Sequence, residues 1–354
     1  MKIALVTDAW HPQINGVVTT LSTVAQQLKT VGHTVELITP DQFWTWPCPT
    51  YPEIRLALFG QKKTRTLLER LQPDAIHIAT EGPLGLAARA YCLNKGLPFT
   101  TSFHTMFAEY VHVRTGLPLN LGYRFLAWFH NKAQRTMVAT PTLIERLSSR
   151  GFKSPVLWSR GVDTQLFAPR ERGALEGQGP KLLYVGRVAI EKNIESFLML
   201  DHPGSKYVIG DGPQRPELEK RYPNTRFLGY RQGLDLAMHM ADADVFVFPS
   251  RTDTFGLVML EALACGVPVA AYPVQGPKDV IQNEAIGCLD EDLGRAVEIA
   301  LTKQRSECRR YALQYSWAQC AQLFESNLAP FGPNADRQSE NPESLSVALN
   351  GEHS

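Results

Sequence analysis

The chain has 354 residues, 44% of them hydrophobic and 20% charged, enough for two domains with sizeable cores and too apolar for wholesale disorder. A net charge of +1 and the lack of any recognised nucleic-acid motif argue against a nucleic-acid partner. No apolar run approaches the roughly 18–20 residues of a membrane span. The near-neutral total hides an asymmetry, since residues 1–165 carry 17 Lys and Arg against 10 Asp and Glu, a balance of +7, which leaves −6 for the rest. Such halves either meet different partners or simply attract each other. The six cysteines are scattered, with no CxxC pair and no clustered histidine, so neither a disulfide framework nor a zinc site is expected. A reducing cytoplasm is the expected compartment. The opening MKIALVTDAW meets Asp8 too soon for a secretory leader and reads as a buried strand.

Short apolar runs alternate with helical patterns twice over, which predicts parallel α/β sheets. In the first half the strand candidates are KIALVT (2–7), HTVELIT (33–39), AIHIAT (75–80), PFTTSFH (98–104), TMVATP (136–141) and SPVLWS (154–159). Between the first two, Val17, Leu21, Val24 and Leu28 keep helical spacing up to Gly32. Residues 1–166 form the first predicted domain, and the polar, Gly-rich stretch 167–180 is its linker to the second. In residues 181–310 the strands are KLLYVG (181–186), KYVIGDG (206–212), TRFLGY (225–230), ADVFVFPS (243–250) and VPVAAY (267–272). The stretch 309–328 reads as one helix with Tyr311, Tyr315, Ala318 and Leu323 along one side. Residues 332–354 lack periodicity and are expected to be disordered.

In open parallel sheets, ligands bind beyond the C-terminal strand ends. That directs attention to the loops Asp8–Gly16, Thr80–Gly85, His104–Tyr110, Gly186–Asn193, Gly210–Pro213 and Ser250–Gly256. The last leaves a buried strand at Pro249 and enters a helix near Phe255–Gly256, where unpaired first-turn amides and the macrodipole favour an anion. Asp253 and Glu261 are placed to flank that anion and accept from hydroxyls around it; otherwise Asp253 caps the helix and Glu261 is solvated. Arg187 and Lys192 share another loop, and two cations suit a diphosphate, although a basic pair is also common on solvated surface.

Together VGR-x4-KN (185–193), GDGP (210–213), Asp253-x7-Glu261 and FGLVMLEALACGVPV (255–269) resemble the retaining glycosyltransferases of family 4. HPQINGVVTTL, TSFHT and RGVDTQLFAP agree in the first half, and the likeness runs over nearly all of residues 1–328. It implies the GT-B fold: two Rossmann-like, doubly wound domains facing across a cleft, with a terminal helix at about 311–329 crossing back to the first. It also implies that Arg187 and Lys192 neutralise a donor diphosphate, that Glu261 binds ribose hydroxyls and that Asp253 meets the transferred sugar. Gly16, Gly210 and the backbone of Phe255, Gly256 and Leu257 would lie against donor phosphate or sugar, with Tyr230 and Arg231 edging the base. His104 would orient the sugar and steady developing charge. Aspartate at 253 stands where the family has glutamate, one methylene longer, so the pattern does not fix the sugar.

The finer resemblance is to GDP-mannose-dependent α-mannosyltransferases, and beside them to sulfoquinovosyl- and glucosyl-diacylglycerol synthases that use UDP-sugars. Expected partners are therefore GDP-mannose or a UDP-sugar and a lipid or glycan acceptor. An anionic membrane surface is expected to be met through Lys62, Lys63 and Arg65, giving a peripheral location on the cytoplasmic membrane. In the mixed stretch 122–135 the aromatic residues are expected to face the core. The strings Asp242–Asp244 and Asp290–Asp292 resemble metal-binding DxD motifs, but the first precedes its strand, opposite the ligand side, and the second is expected beside no buried strand or cation pair, so no metal and no cofactor are expected. Other classes stay open at this stage: an epimerase or a noncatalytic nucleotide-sugar-binding protein shares the architecture. A dinucleotide-dependent oxidoreductase is disfavoured because GxGxxG does not follow the first strand.

Overall fold

The computed structural model describes residues 1–13, 15–48 and 51–332, with the backbone alone for 51–53, 113 and 114. The first half runs β1 (Lys2–Val6), α1 (Gly16–Thr30), β2 (Thr34–Ile38), β3 (Thr45–Cys48), β4 (Tyr51–Ala57), α2 (Gly60–Leu71) and β5 (Ala75–Ile78). It continues through α3 (Pro83–Lys95), β6 (Thr100–Phe103), α4 (Phe107–Thr115), α5 (Leu119–His130), β7 (Arg135–Val138), α6 (Pro141–Ser149) and β8 (Pro155–Leu157). The second half opens with β9 (Lys181–Val185), α7 (Ile194–Leu198), β10 (Ser205–Ile209), α8 (Arg215–Arg221), β11 (Arg226–Gly229), α9 (Gly233–Asp242) and β12 (Val245–Phe248). It closes with α10 (Leu257–Ala264), β13 (Val269–Ala271), α11 (Pro277–Val280), β14 (Gly287–Leu289), α12 (Leu293–Ala300), α13 (Arg305–Ala312) and α14 (Trp317–Asn327).

Two six-stranded sheets result, ordered β2-β1-β5-β6-β7-β8 and β11-β10-β9-β12-β13-β14. Their ladders are parallel throughout. Parallel strands buried on both faces need apolar residues at successive positions, and the clusters show that use. Ile3 and Leu5 point to the side packed by α1 and α14, whereas Ala4 and Val6 point to the side of α2 and α3. Likewise Leu183, Phe246 and Phe248 meet α9, α10 and α13, while Leu182, Val245 and Val247 meet α7 and α12. The chain changes winding direction between β1 and β5 and again between β9 and β12. These are the switch points at which such sheets open a crevice.

Three elements differ from the sequence reading. The antiparallel hairpin β3–β4 lies outside both sheets, and its prolines had hidden it, because Pro is confined to strand edges. β14 is only three residues long. The stretch 309–328 is two helices, because the Ser316 hydroxyl accepts from the Gln319 amide at 3.1 Å and starts a new one. Tyr311 and Tyr315 therefore pack on the second half, whereas Cys320, Ala321 and Phe324 pack against the first; Ala318 is exposed. Trp158 fixes α14 by donating from Nε1 to the Cys320 carbonyl at 3.1 Å. Beyond Gly332, the expected disordered tail lies outside the described residues.

Candidate active site

The loops after β9 and β12 flank the second switch point and are stapled together. Asn193 Nδ2 donates to the Pro249 carbonyl at 3.0 Å, and the Thr252 hydroxyl to the Glu191 carbonyl at 3.2 Å. The Tyr184 hydroxyl holds the Arg187 carbonyl at 2.8 Å, which fixes the backbone carrying that half-buried guanidinium. The loop after β10 stacks on the same place: a Cβ at Gly210 would lie 1.9 Å from the Gly186 carbonyl oxygen, so only glycine fits.

Lys192 and Asp253 meet at the centre, Nζ to Oδ1 at 2.5 Å. Burial works against the ammonium, but Asp253 and the phenols of Tyr110 and Tyr184 outweigh it and hold the Lys192 pKa above its ordinary value. The group is a permanent cation. Among the described residues Asp253 Oδ2 is buried with no hydrogen-bond partner, an arrangement that costs about 1–3 kcal/mol until something fills it. Asp253 does not cap α10, contrary to the alternative the sequence left open. The N-cap is Gly256, at φ +84°, and among the described residues no side-chain hydrogen bond caps the helix. A Cβ there would strike Met259 and Phe248 at 2.8 and 2.9 Å. Phe255 is buried in the core beneath this turn.

Four residues into α10, on the same face as Leu257, burial pushes the Glu261 carboxyl up to about 7. Glu261 is half-buried, and among the described residues its carboxylate has no hydrogen-bond or ion-pair partner. Tyr230 is exposed and its hydroxyl donates to Gln232 at 3.2 Å. Arg231 pairs with Asp235 at 3.1 Å but leaves its Nε buried and unpartnered. Ser250 Oγ, at the end of β12, is also buried without a partner.

The first half meets this seat directly. Gly16 opens α1 after Asn15, whose side chain accepts from the Val17 and Val18 amides at 3.0 and 3.1 Å. A Cβ at Gly16 would lie 3.2 Å from Leu257 Cδ1, so the starts of α1 and α10 are in contact. His104 follows β6, as expected, and its carbonyl accepts from the Thr254 hydroxyl at 2.7 Å. Its ring is engaged within its own half: Nδ1 accepts from Arg160 at 3.3 Å, which leaves Nε2 to donate to Ser102 Oγ at 2.8 Å. Burial first, then the Arg160 charge, holds this imidazole neutral, well below its ordinary pKa. The geometry suits His104 to orienting the Thr254 turn through its backbone.

Sequence reasoning reached the loop ending at Tyr110 without seeing its role. Tyr110 stands against Thr252, Lys192 and Asp253, and burial raises its phenol pKa. Arg146, Glu109 and Gln275 also converge here across the halves, a juxtaposition with no local sequence signal.

Neither DxD string is placed for a metal. Asp242 accepts from the Gly173 and Leu175 amides and from Lys181 Nζ, and Asp244 accepts from the Lys181 amide and Arg172, so both pin the linker. Asp292 caps α12 through the Gly294 and Arg295 amides, and Asp290 accepts from the Asp292 amide. No group of three or more His, Cys, Asp or Glu among the described residues is placed to hold a metal.

Lys62, Lys63 and Arg65 are exposed on α2, but Arg65 pairs with Glu69 at 3.1 Å and Lys63 reaches the Gln42 carbonyl. Beside them stand Phe59, 95% exposed, and Trp44, 88% exposed. The expectation for 122–135 is half corrected: Tyr123 and Phe129 are buried, while Phe125 and Trp128 are exposed with Leu121 along one side of α5. No described helix is long and apolar enough to cross a membrane.

Two parallel-sheet domains with their switch points turned toward each other make up the GT-B fold. The structure superposes on a sucrose-phosphate synthase from Thermosynechococcus elongatus with a TM-score of 0.72, at 21% identity, over 92% of this chain and 97% of that one. In sequence, residues 14–166 match the model of Glycosyltransferase Family 4 and residues 179–302 that of Glycosyl transferases group 1. A GDP-mannose-dependent alpha-mannosyltransferase of Mycobacterium tuberculosis is 30% identical over 82% of this chain and 83% of its own length. Sulfoquinovosyl transferase SQD2 of Arabidopsis thaliana is 30% identical over 73% of this chain and 57% of its own length. The chain belongs to glycosyltransferase family 4.

Proposed function

We propose that this glycosyltransferase moves a hexose, mannose from GDP-mannose first among the candidates, onto a hydroxyl of a lipid-linked or glycan acceptor with retention of configuration. The observation that carries the reading is the Lys192–Asp253 pair set against the uncapped start of α10. A fixed cation and open amides at one point suit a departing diphosphate, whose charge grows as the glycosidic bond breaks. Arg187 adds a second cation to the same oxygens. The vacant Oδ2 of Asp253 takes a sugar hydroxyl, and Glu261 takes the ribose hydroxyls, a partner that stabilises its ionised form. With charge met this way the reaction proceeds without a metal. No side chain is assigned as a covalent nucleophile; in this mechanism the leaving phosphate helps deprotonate the acceptor on the same face of the sugar. Contact between the two halves excludes water from the transfer.

The acceptor side is assigned to the first domain, whose basic α2 and exposed aromatic residues suit an anionic bilayer surface. A UDP-sugar-dependent glycolipid synthase is the second reading, favoured by equal identity to the sulfoquinovosyl transferase. The test is a donor panel of GDP-mannose, UDP-glucose and UDP-sulfoquinovose incubated with lipid extract, with products read by mass spectrometry. GDP-mannose is expected to give the hexosylated product. Folded protein that transfers from no donor, or releases an epimerised sugar without acceptor, ends the proposal.

A further inference from the structure

The cluster around Arg146 has two unfilled positions that the roles given above do not use. Arg146, on α6, donates from Nη1 to Gln275 Oε1 at 2.8 Å and from Nη2 to Glu109 Oε1 at 2.5 Å. The Tyr123 hydroxyl donates to the same Glu109 oxygen at 2.6 Å. Two donors thus converge on Oε1, while among the described residues Glu109 Oε2 is buried with none. Gln275 Nε2 is likewise buried without a partner. Its orientation is set by Arg146, which can only donate and so must face the amide oxygen. The cluster therefore presents one open acceptor from the first domain and one open donor from the second, held to a common guanidinium.

A hydroxyl is the group that answers both, accepting from Gln275 Nε2 and donating to Glu109 Oε2. Its source is indicated by what surrounds the cluster. A Cβ at Gly276, the residue after Gln275, would lie 2.7 Å from the Asp253 carbonyl and 3.5 Å from that of Phe255. Tyr110, the residue after Glu109, stands against Lys192 and Asp253. The pair thus adjoins the turn carrying the vacant Asp253 Oδ2.

We propose that Glu109 and Gln275 form a specificity subsite for a hydroxyl of the transferred hexose, with Arg146 as the positioning residue that sets their spacing. The inference rests on the glycosyltransferase reading and adds a second anchor to Asp253. Two anchors at separate points would read one hydroxyl's configuration relative to another.

The experiment is calorimetry on the full chain with GDP-mannose and UDP-glucose, beside GDP and UDP. In Glu109→Gln the Arg146 and Tyr123 donors hold the amide oxygen, so the amide nitrogen replaces the open acceptor. Gln275→Met keeps the length of the side chain and removes both the donor and the oxygen that accepts from Arg146. Each variant is expected to weaken the sugar nucleotide about tenfold or more while changing the free diphosphate by less than about twofold. Thr142→Val, which removes the Asp279 bond across the halves but leaves the subsite intact, should not change that ratio. Thermal melts establish folding, and Gln275→Met carries the test if Glu109→Gln does not fold. Equal weakening of sugar nucleotide and diphosphate overturns the subsite in favour of a simple brace between domains. An unchanged ratio in both variants also overturns it, as does a change confined to acceptor KM. Wild-type protein that binds neither sugar nucleotide overturns the proposed function, and the subsite with it.

Discussion

Equivalent loops stand at equivalent strand ends in the two sheets, yet the polar groups in them have opposite fates. In the first domain they are used internally. Asp8, at the end of β1, accepts from the Leu84 and Gly85 amides and the Thr80 hydroxyl, so it caps α3. His130 spans Thr101 and Glu81, and His104 spans Ser102 and Arg160. In the second domain Asp253 Oδ2, Ser250 Oγ and Arg231 Nε are buried and open, and Glu261 has no partner among the described residues. A polar atom left open at a strand-end loop, at a cost in stability, is a place where a ligand or ordered water can be met. On the proposed function, the difference assigns donor recognition to the second domain and makes the first a rigid face, with Glu109 the exception.

The largest expected effect falls on the cations of the open face. Arg187→Ala and Lys192→Ala should each lower kcat/KM by about 10²–10³, or about 2–4 kcal/mol of transition-state stabilisation. Lys192→Ala also leaves the Asp253 charge without its partner, so a loss of thermal stability should accompany it. The neutral pair Lys192→Met with Asp253→Asn should recover that stability and none of the transfer. A folded double cation mutant that keeps activity within tenfold removes the assigned diphosphate seat. Excess chelator should leave the wild-type rate unchanged; activity that returns only with added divalent metal would overturn the metal-free mechanism.

Next come the two carboxylates. Asp253→Asn should weaken sugar nucleotides about tenfold and leave free GDP or UDP nearly unchanged, whereas Glu261→Gln should weaken the free diphosphates by a similar factor. Glu261 has a pH signature as well. Burial carries its carboxyl from 4.5 to about 7, so the folded state holds the proton more tightly and unliganded stability falls as pH rises through that window. At pH 8 Glu261→Gln should therefore be the more stable unliganded protein, by about 2–3 kcal/mol. Ribose hydroxyls donate to the ionised form, so wild-type nucleotide affinity should rise between pH 6 and 8 relative to Glu261→Gln. Parallel pH curves for the two proteins would take the ribose role away from Glu261.

The contrast between domains was only partly written in local sequence. Strand-end position, glycine spacing and a basic pair located the loops after β9, β10 and β12, because a parallel sheet dictates where its loops open. Pairing of Lys192 with Asp253 is tertiary, and so are the Glu109–Arg146–Gln275 convergence and the partners that occupy the ring of His104. No periodicity encodes contacts between residues 37 or 129 positions apart. The break at Ser316 was readable, since a serine before an amphipathic turn is an N-cap signal, but continuous apolar spacing overrode it.

The closed face of the first domain predicts acid sensitivity. Burial lowers His77 to about 3 and holds His104 well below its ordinary 6.5. The unfolded chain binds protons at these sites below about 6.5 while the folded chain does not, so stability is lost as pH falls. Each site should contribute a slope of about 1.4 kcal/mol per pH unit between pH 6 and 4.5. Urea unfolding across that range, for wild type and for His77→Gln and His104→Gln, measures it. A slope that neither variant reduces would mean that these rings titrate normally in the fold.

The smallest effects per residue concern the outer surfaces, where the domains differ again. Trp44, Trp46, Phe59, Phe107, Phe125 and Trp128 are exposed on the first; on the second, among the described residues, Tyr230 is the exposed aromatic side chain. Aromatic rings beside a basic helix favour the interface of an anionic bilayer, with about 1 kcal/mol per basic residue near the surface. Because Arg65 is paired with Glu69 and Lys63 is engaged by Gln42, the triple alanine variant of Lys62, Lys63 and Arg65 should lose less than three full charges' worth. That loss should shrink as salt rises. Serine at Trp44, Trp46 and Phe59 should instead cause a loss that salt does not change, since it removes apolar area rather than charge. Flotation with vesicles containing phosphatidylglycerol separates the two contributions. If both variants float like wild type, α2 and the hairpin are not the docking face, and serine at Leu121, Phe125 and Trp128 then tests α5. Binding that survives all three sets would leave the exposed rings of the first domain without a lipid role and break the outer half of the comparison.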